Sequence, residues 1–284
     1  MKKYLITGCN GQLGRALNEV LANDDQVTLV NTDVEDLNIC DLEAVRTFVG
    51  REKPDVIINC AAHTAVDLCE EDKENAYNIN AVGPKNLAMA AEENGAEIVQ
   101  VSTDYVFDGE KETPYVESDA VGPQSVYGST KLQGEQEVQK ASSRFYIVRT
   151  AWLYGDGKNF VRTMLNLAKE HDHLTVVNDQ FGSPTTAIEL ARAILVILEK
   201  GDYGIYHATC EGVTSWYEFA CRIFKEAGIS VEVAPVSSEE YKSAAKRPKY
   251  SVLEDVELKK LGYVMKDWED ALKEYLIKEQ ICSE

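Results

Sequence analysis

The sequence predicts an α/β fold, with a doubly wound parallel sheet followed by a smaller C-terminal α/β domain. In the first half, short apolar or β-branched runs alternate with helix-like stretches, which is the rhythm of right-handed βαβ units. The run Asp-Val-Ile-Ile-Asn at 55–59 is apolar between its ends, as expected of a strand buried on both faces. A glycine-rich stretch directly after the first run is typical of the turn that opens such a sheet.

The individual elements follow from this alternation. We expect strands at 3–7, 26–31, 55–59, 97–102 and 144–149, and helices near 13–23, 41–53, 64–94 and 127–141. The third helical stretch is long, so a break is expected near Ala76–Asn80. After residue 150 we expect helices near 158–170, 185–200, 214–227, 254–260 and 267–280, with short strands near 174–177, 203–207 and 231–234.

Composition excludes several classes of function. The chain has 284 residues, of which 44% are hydrophobic, so it can bury a core of useful size. Its 48 acidic residues outnumber its 29 Lys and Arg, and the net charge of −19 argues against a nucleic-acid or anionic-membrane binder. A small anionic ligand stays compatible, because backbone N–H groups and a few local cations can hold one phosphate.

Other features predict a cytoplasmic protein without a metal site. No apolar run approaches the roughly 18 residues that span a bilayer, and Gly8 follows the N-terminus too closely for a signal peptide. The seven cysteines are scattered without a Cys-x-x-Cys pair, which favours reduced thiols. The one close histidine pair, His171 and His173, lies in a polar stretch that we interpret as an exposed turn.

Residues 7–14, Thr-Gly-Cys-Asn-Gly-Gln-Leu-Gly, form the clearest motif. Gly8 suits the sharp strand-to-helix turn, Gly11 lets a pyrophosphate approach the backbone, and Gly14 lets the helix pack on the sheet. A tight βα turn needs glycine in any case, but Asp33 ends the second strand 19 residues after Gly14, where an acid binds the adenosine ribose. We therefore predict a Rossmann-type dinucleotide site. Because no Lys or Arg flanks Asp33, NADH is slightly favoured over NADPH.

Tyr127 and Lys131 are four residues apart and share one face of a predicted helix. A tyrosine with its usual pKa of about 10 is a poor proton shuttle, and a nearby cation is expected to lower that pKa. Such pairs are also common on surface helices. Thr103 strengthens the catalytic interpretation, because it ends a predicted parallel strand at the edge where such sheets bind ligands, and its hydroxyl can donate to a carbonyl that Tyr127 also contacts.

Together these features resemble the extended short-chain dehydrogenase/reductases over the whole chain. Five stretches, at 59–67, 102–109, 149–155, 179–185 and 247–253, are similar within that superfamily to the dTDP-4-dehydrorhamnose reductase family. The resemblance implies NAD(P)H-dependent reduction of the 4-keto group of dTDP-4-dehydro-L-rhamnose to dTDP-L-rhamnose. It implies that Tyr127 is the general acid, that Lys131 holds Tyr127 and the nicotinamide ribose, and that Thr103 bonds the carbonyl oxygen.

The resemblance also implies binding residues, position by position. The cofactor would contact Gly8, Asn10, Gly11, Gln12, Leu13, Asp33, Asp41, Leu42, Ala61, Ala62, Thr64, Tyr127 and Lys131. The sugar nucleotide would contact Thr103, Tyr105, Val106, Phe107, Trp152, Asn159 and Gln180, although Val106, Phe107 and Trp152 also suit an apolar core. Some family members join a dimer through an acid-bound magnesium ion, but one of those acids is replaced here by Ala16. We therefore expect no metal, and a monomer or weak homodimer.

The implied domains are a dinucleotide-binding unit of 1–150 plus a segment near 185–207, and a sugar-nucleotide unit of 151–184 and 208–284. Two alternatives stay open. One is a related sugar-nucleotide epimerase or dehydratase, although a dehydratase needs a second acid where Tyr105 follows Asp104. The other is a non-catalytic regulatory relative that keeps the fold and binds a partner.

Overall fold

A six-stranded parallel sheet forms the centre of the protein in a computed structural model that describes residues 1–241 and 243–282. Its strand order is β10-β5-β4-β3-β1-β2. The strands are β1 (Lys2–Thr7), β2 (Val27–Thr32), β3 (Val56–Asn59), β4 (Glu97–Thr103), β5 (Phe145–Thr150) and β10 (Gly204–His207). All five neighbouring pairs are parallel, which confirms the predicted fold class.

Helices cover both faces of the sheet. They are α1 (Gln12–Leu21), α2 (Leu42–Glu52), α3 (Val66–Glu71), α4 (Lys73–Tyr77), α5 (Gly83–Asn94), α6 (Val126–Ala141), α7 (Phe160–Leu167), α8 (Ala187–Lys200), α9 (Trp216–Glu226), α10 (Val256–Lys260) and α11 (Trp268–Lys278). The sheet lies between two apolar clusters, one of which includes α1 and α8 and the other α2 and α5, while its edge strand β2 is only partly buried. None of the helices in the described ranges combines the length and apolar character needed to cross a bilayer.

The long predicted helix at 64–94 is divided into three α-helices and a π-helical turn at Asn78–Val82, close to the expected break. Asn80 stabilises the turn, because its amide donates to the His63 carbonyl and the Thr130 hydroxyl and accepts from the His63 N–H. These bonds tie the turn to the segment after β3 and to α6. Asn80 therefore has a structural role beneath the sheet edge.

Short parallel and antiparallel pairs extend the C-terminal half beyond the sheet. They are β6 (Leu153–Tyr154) with β9 (Thr185–Thr186), β7 (His173–Val177) with β12 (Glu232–Val236), and β8 (Phe181–Gly182) with β11 (Thr214–Ser215). The helix expected from residue 185 begins only at Ala187, because Thr185 and Thr186 pair with β6 and the Thr186 hydroxyl caps the helix. These pairs place the C-terminal segments against the carboxyl edge of the sheet.

Candidate active site

A cavity of about 480 Å³ lies at the carboxyl ends of four neighbouring strands, β1, β3, β4 and β5. The chain leaves β1 and β3 toward opposite sides of the sheet, and parallel α/β sheets bind ligands at such a switch point. The cavity is lined by the glycine-rich turn after β1, by the ends of β3, β4 and β5, by α6 and by the C-terminal segments. The lining includes Gln12, Leu13, Ala61, Ala62, Thr64, Thr103, Tyr105, Tyr127, Lys131, Trp152, Asn159 and Trp216.

The glycine-rich turn has the geometry of a phosphate cradle. Gly8 has φ +62°, and a Cβ on Gly14 would lie 2.5 Å from the Gly8 carbonyl oxygen, so neither position accepts a side chain. Gly11 precedes α1 and leaves the first N–H groups of the helix free of a side-chain cap. The Gln12 Oε1 atom is buried at the same place without a partner. These residues therefore fit a dinucleotide, whose pyrophosphate accepts from such N–H groups.

Asp33 lies directly beside this turn. Its Oδ2 atom accepts from the Asn10 N–H at 3.1 Å, and its Oδ1 atom accepts from the Val34 N–H. The carboxylate is only half-buried, so one ligand hydroxyl pair can still approach it. Asp41 has a different task in this structure: it caps α2 by accepting from the N–H groups of Glu43 and Ala44, and with Leu42 it lies outside the cavity lining.

Tyr127 lies in the first turn of α6, which Ser125 caps by accepting from the Gly128 N–H. A Cβ on Gly128 would lie 2.1 Å from the Tyr105 carbonyl oxygen, so this glycine lets the helix approach the end of β4. Burial raises the pKa of the Tyr127 phenol above its usual value of 10, and the facing Thr103 hydroxyl only partly offsets this rise. The sequence-based expectation of a lowered pKa is therefore wrong for this arrangement. The phenol is protonated at neutral pH.

Lys131 explains why that expectation fails. Its side chain is 3% exposed, and its Nζ atom donates to the Val101 carbonyl oxygen of β4 at 2.6 Å. Burial lowers the pKa of the ammonium to about 8, while the Glu135 carboxylate, one helical turn further along, raises it. The cation is directed at the sheet backbone and not at the phenol. A ribose hydroxyl placed in the cavity would offer it a further acceptor.

The end of β4 places two oxygen-bearing side chains in the cavity. Thr103 donates from its Oγ1 atom to the Asp104 Oδ1 atom at 2.8 Å. Asp104 is 2% exposed, and its buried Oδ2 atom has no hydrogen-bond partner in the part of the chain that the structure describes. Burial raises the pKa of this carboxyl group to about 6. None of the described residues places a cation against this carboxyl group, and a buried carboxyl group of this kind beside a proton donor is typical of a functional site.

Two stacked indoles form the opposite wall. Trp152 and Trp216 lie face to face, with ring centroids 3.5 Å apart and planes 7° apart. Trp152 has φ +47°, a conformation that non-glycine residues rarely adopt. A Cβ on Gly182 would lie 2.5 Å from the Trp152 indole, so the ring fits only above a glycine. This wall offers an apolar face of the size of a hexose ring.

Not every predicted residue reaches this cavity. Val106 and Phe107 are fully buried in a separate apolar cluster with Tyr115, and their side chains pack in the core instead of lining the site. Asn159 lines the cavity, but it caps α7 by accepting from the Arg162 N–H, and its amide donates to the Gly155 carbonyl oxygen.

Gln180 lines a second cavity of about 550 Å³, where its amide donates to Ser238. This cavity also contains the cations Lys246, Arg247 and Lys249. Arg247 faces Tyr105, which lines the first cavity, and Arg247 also forms an ion pair with Asp67 at 2.9 Å. The Tyr105–Arg247 pair therefore lies between the two cavities.

Sequence reasoning missed two residues of the site. Asp104 adjoins Thr103 at the same strand end, so its position was readable, but nothing in the sequence shows that it is buried without a cation. Trp216 begins α9, 64 positions after Trp152, and only the fold brings the two rings together.

This fold and cavity define a Rossmann-type oxidoreductase of the short-chain dehydrogenase/reductase class. The profile of the RmlD substrate binding domain matches residues 1–281, and the chain belongs to that family. The dTDP-4-dehydrorhamnose reductase of Escherichia coli (strain K12) is 41% identical over 289 residues, with 96% of each chain covered.

Two crystal structures of relatives superpose over nearly the full chain. A dTDP-4-dehydrorhamnose reductase from Clostridium acetobutylicum ATCC 824 is 54% identical with a TM-score of 0.96, covering 98% of this chain and 99% of its own. The dTDP-4-dehydrorhamnose reductase from Bacillus anthracis str. Ames, in complex with NADP, is 42% identical with a TM-score of 0.95, covering 98% and 100%. The predicted family resemblance is confirmed.

Proposed function

We propose that this protein reduces the 4-keto group of dTDP-4-dehydro-L-rhamnose to give dTDP-L-rhamnose, using NADH or NADPH. One observation carries the proposal: a protonated phenol, a strand-end hydroxyl and a buried lysine line a single cavity between a phosphate cradle and an apolar wall. The full-length similarity to dTDP-4-dehydrorhamnose reductases supports the choice of substrate.

Tyr127 would donate the proton that the reaction requires. Reduction turns the sugar carbonyl into an alkoxide, which needs one proton. A phenol with a raised pKa remains neutral at pH 7 and can donate that proton as the charge develops. Thr103 faces the phenol and can donate to the same oxygen, which fixes the carbonyl against Tyr127.

The glycine-rich turn, the sheet edge and Lys131 would bind the cofactor. The reduced nicotinamide supplies the hydride when bound. The N–H groups at the start of α1 would donate to the pyrophosphate, Asp33 would accept from the adenosine ribose, and Lys131 would donate to the nicotinamide ribose. The side chains of Ala61 and Ala62 are small, so they leave space in the cavity for a flat ring.

Segments 151–184 and 208–284 would bind the substrate, and we infer that they form the sugar-nucleotide unit. Trp152 would cover the hexose, and Gln180 and Arg247 in the second cavity would bind the nucleoside diphosphate beyond Tyr105. The lining of the second cavity combines the cations Lys246, Arg247 and Lys249 with the acids Asp108 and Glu110, and the cations would bind the diphosphate. We further propose a cytoplasmic monomer or weak homodimer without a nucleic-acid partner, on the grounds of this charge and the free thiols.

The test couples the upstream dehydratase and epimerase to the purified protein and follows nicotinamide absorbance with each cofactor. Stoichiometric oxidation of the reduced cofactor with formation of dTDP-L-rhamnose is expected. A related epimerase or dehydratase would turn over without net consumption of NADH. A regulatory relative would bind the cofactor and reduce no sugar nucleotide.

Tyr127→Phe is the matched variant for this test. It should keep cofactor affinity and lower turnover by roughly 100-fold or more, as expected from the loss of a general acid. Near-normal turnover of this variant would remove Tyr127 from the proposed role.

A further inference from the structure

Asp104 is a buried carboxyl group that the proposed reaction has not yet used. It lines the reaction cavity, directly after the Thr103 hydroxyl that bonds to its Oδ1 atom at 2.8 Å. Among the residues that the structure describes, its Oδ2 atom has no hydrogen-bond partner, although the Ser251 hydroxyl faces the carboxyl group. Buried polar atoms are almost always paired, so an unpaired carboxyl oxygen in a reaction cavity needs a functional account.

The side chains that face Asp104 carry neutral hydroxyl groups, which can donate and accept protons, and not positive charges. Tyr105 and Tyr127 face it from the 3₁₀ turn after β4 and from α6, and Ser251 faces it from the C-terminal segment. The charged pair Arg247 and Asp67 lies behind Tyr105. A carboxylate in these surroundings is poorly compensated, so a bound proton is retained more easily than in water.

We propose that Asp104 is the proton-holding residue that resupplies Tyr127 after each reduction, through the hydroxyl of Thr103. The inference rests on the proposed reductase function. Every turnover leaves a Tyr127 phenolate, and the next turnover requires a neutral phenol. Thr103 faces Tyr127 and contacts Asp104, so it bridges the two groups.

The transfer balances with one proton and no redox change. The Asp104 carboxyl O–H bond breaks as its proton passes to the Thr103 oxygen, while the Thr103 O–H bond breaks as its own proton passes to the Tyr127 phenolate. The result is a carboxylate, an unchanged hydroxyl and a neutral phenol. The observed bond, with Thr103 donating to Asp104, is the arrangement after transfer. Asp104 then takes a proton from solvent that enters the cavity.

The direction of transfer and the pH dependence follow from the acidities. The pKa of Asp104 is raised to about 6, and that of Tyr127 is raised above 10, so the proton moves downhill to the phenolate. The supply requires protonated Asp104, and it decreases as pH rises above about 6. Lys131, whose pKa is lowered to about 8, stays charged up to about pH 7, so the range from pH 5 to 7 isolates Asp104.

Rapid mixing of the cofactor-loaded enzyme with the sugar nucleotide provides the decisive test. In the Asp104→Asn variant the first turnover should match that of the wild type, because Tyr127 already carries its proton. Later turnovers at pH 6 should be at least 10-fold slower. Asn keeps an oxygen that can accept from Thr103, so a structural role would be rescued. Equal steady-state rates would overturn the inference, whereas the absence of any first turnover in the wild type would overturn the proposed function instead.

Asp255→Asn is the matched control. Asp255 is also 2% exposed, and it accepts from the N–H and hydroxyl groups of Thr209, away from the reaction cavity. This variant should keep both phases unchanged. A slow second phase in Asp255→Asn as well would assign the effect to general loss of packing, and the inference would fail.

The pH profile of a second variant, Ser251→Ala, gives a readout that does not depend on the folding of Asp104→Asn. Ser251→Ala removes a hydroxyl that lowers the pKa of Asp104, so the steady-state decline should shift to higher pH. The rates of wild type and Asp104→Asn should converge toward pH 7, and the Asn variant should be nearly independent of pH below that value. An unshifted profile in Ser251→Ala would contradict the proton-holding role.

Discussion

Glu135 and Arg149 form a two-point ion pair within the core, with the Glu135 Oε2 atom 2.7 Å from the Arg149 Nη2 atom. The side chains are 1% and 3% exposed, and the Arg149 guanidinium also lies over the Phe107 ring. Glu135 follows Lys131 by one turn of α6 and raises its pKa, so this pair connects β5 with the charge state of the cavity lysine. The Arg149 Nη1 atom has no hydrogen-bond partner within the described ranges, so Glu135 is the main compensation for the guanidinium charge.

Removing one member of this pair should therefore cost more than removing both. We expect Glu135→Gln to lower the free energy of unfolding by about 3–5 kcal/mol, because it leaves a buried guanidinium uncompensated. The double variant Glu135→Leu with Arg149→Met should recover most of that loss. Urea unfolding followed by circular dichroism measures both. Glu137→Gln, on the same helix but paired at the surface, should change stability by less than about 1 kcal/mol.

The sequence predicted that several candidate cofactor residues lie together, because parallel strands bring their carboxyl ends to one edge. Gln12, Ala61, Thr103 and Tyr127 are far apart in the chain, yet each follows a strand or begins a helix at that edge, and all line one cavity. Burial was not predictable from the motif. The alternation of residues along the chain does not show whether a phenol or a carboxyl group is buried away from water. Such burial is the main cause of the raised pKa of Tyr127.

The substrate side was harder to predict for a geometric reason. Val106 and Phe107 belong to a stretch typical of the family, but their side chains face Tyr115 and the core. The position of Trp216 depends on one short strand pair that the sequence pattern does not predict, since β8 and β11 have two residues each. Tertiary contacts between C-terminal segments therefore decide which aromatic rings form the wall.

Trp216 should act on substrate affinity through Trp152. In Trp216→Ala the Trp152 ring loses its stacking partner, and its φ of +47° loses support. We expect KM for the sugar nucleotide to rise about 10-fold, in keeping with the loss of an aromatic contact worth roughly 0.5–1.5 kcal/mol beyond its buried area. Cofactor affinity should stay unchanged.

Trp216→Phe is the conservative partner and should restore most of the affinity. The chain has 3 tryptophans, so the coupled near-ultraviolet dichroism of the stacked pair can be followed directly, and it should vanish in both variants. A KM equal to that of the wild type in Trp216→Ala would show that the stack does not position Trp152.

Asp33 should govern the choice between the two cofactors. Its carboxylate is held at the turn by the Asn10 N–H, where it can accept from ribose hydroxyls and repels a 2′-phosphate. Asp33→Ala should weaken NADH binding more than NADPH binding. Nicotinamide fluorescence titration with each cofactor measures the ratio, and Glu35→Ala, which changes an exposed acid two residues further along the loop, provides a comparison. An equal loss for both cofactors would remove Asp33 from the ribose.

Asp255 should make stability depend on pH in the direction opposite to that of an ordinary ion-paired acid. Burial raises its pKa to about 8 in the folded chain, against about 3.9 when unfolded, so between these values the folded state binds more protons. The contribution of Asp255 to stability is therefore fully present below about pH 4 and is lost as pH rises through 8. Asp255→Asn removes the titration while keeping an acceptor for the Thr209 N–H.

The variant should accordingly gain stability relative to the wild type between pH 5 and pH 8, measured as the difference in urea midpoints at each pH. Lys259, whose pKa is raised by Glu254 and Glu211, stays charged throughout this range and does not confuse the comparison. A constant difference across the range would mean that the Asp255 carboxyl group does not change its protonation on unfolding.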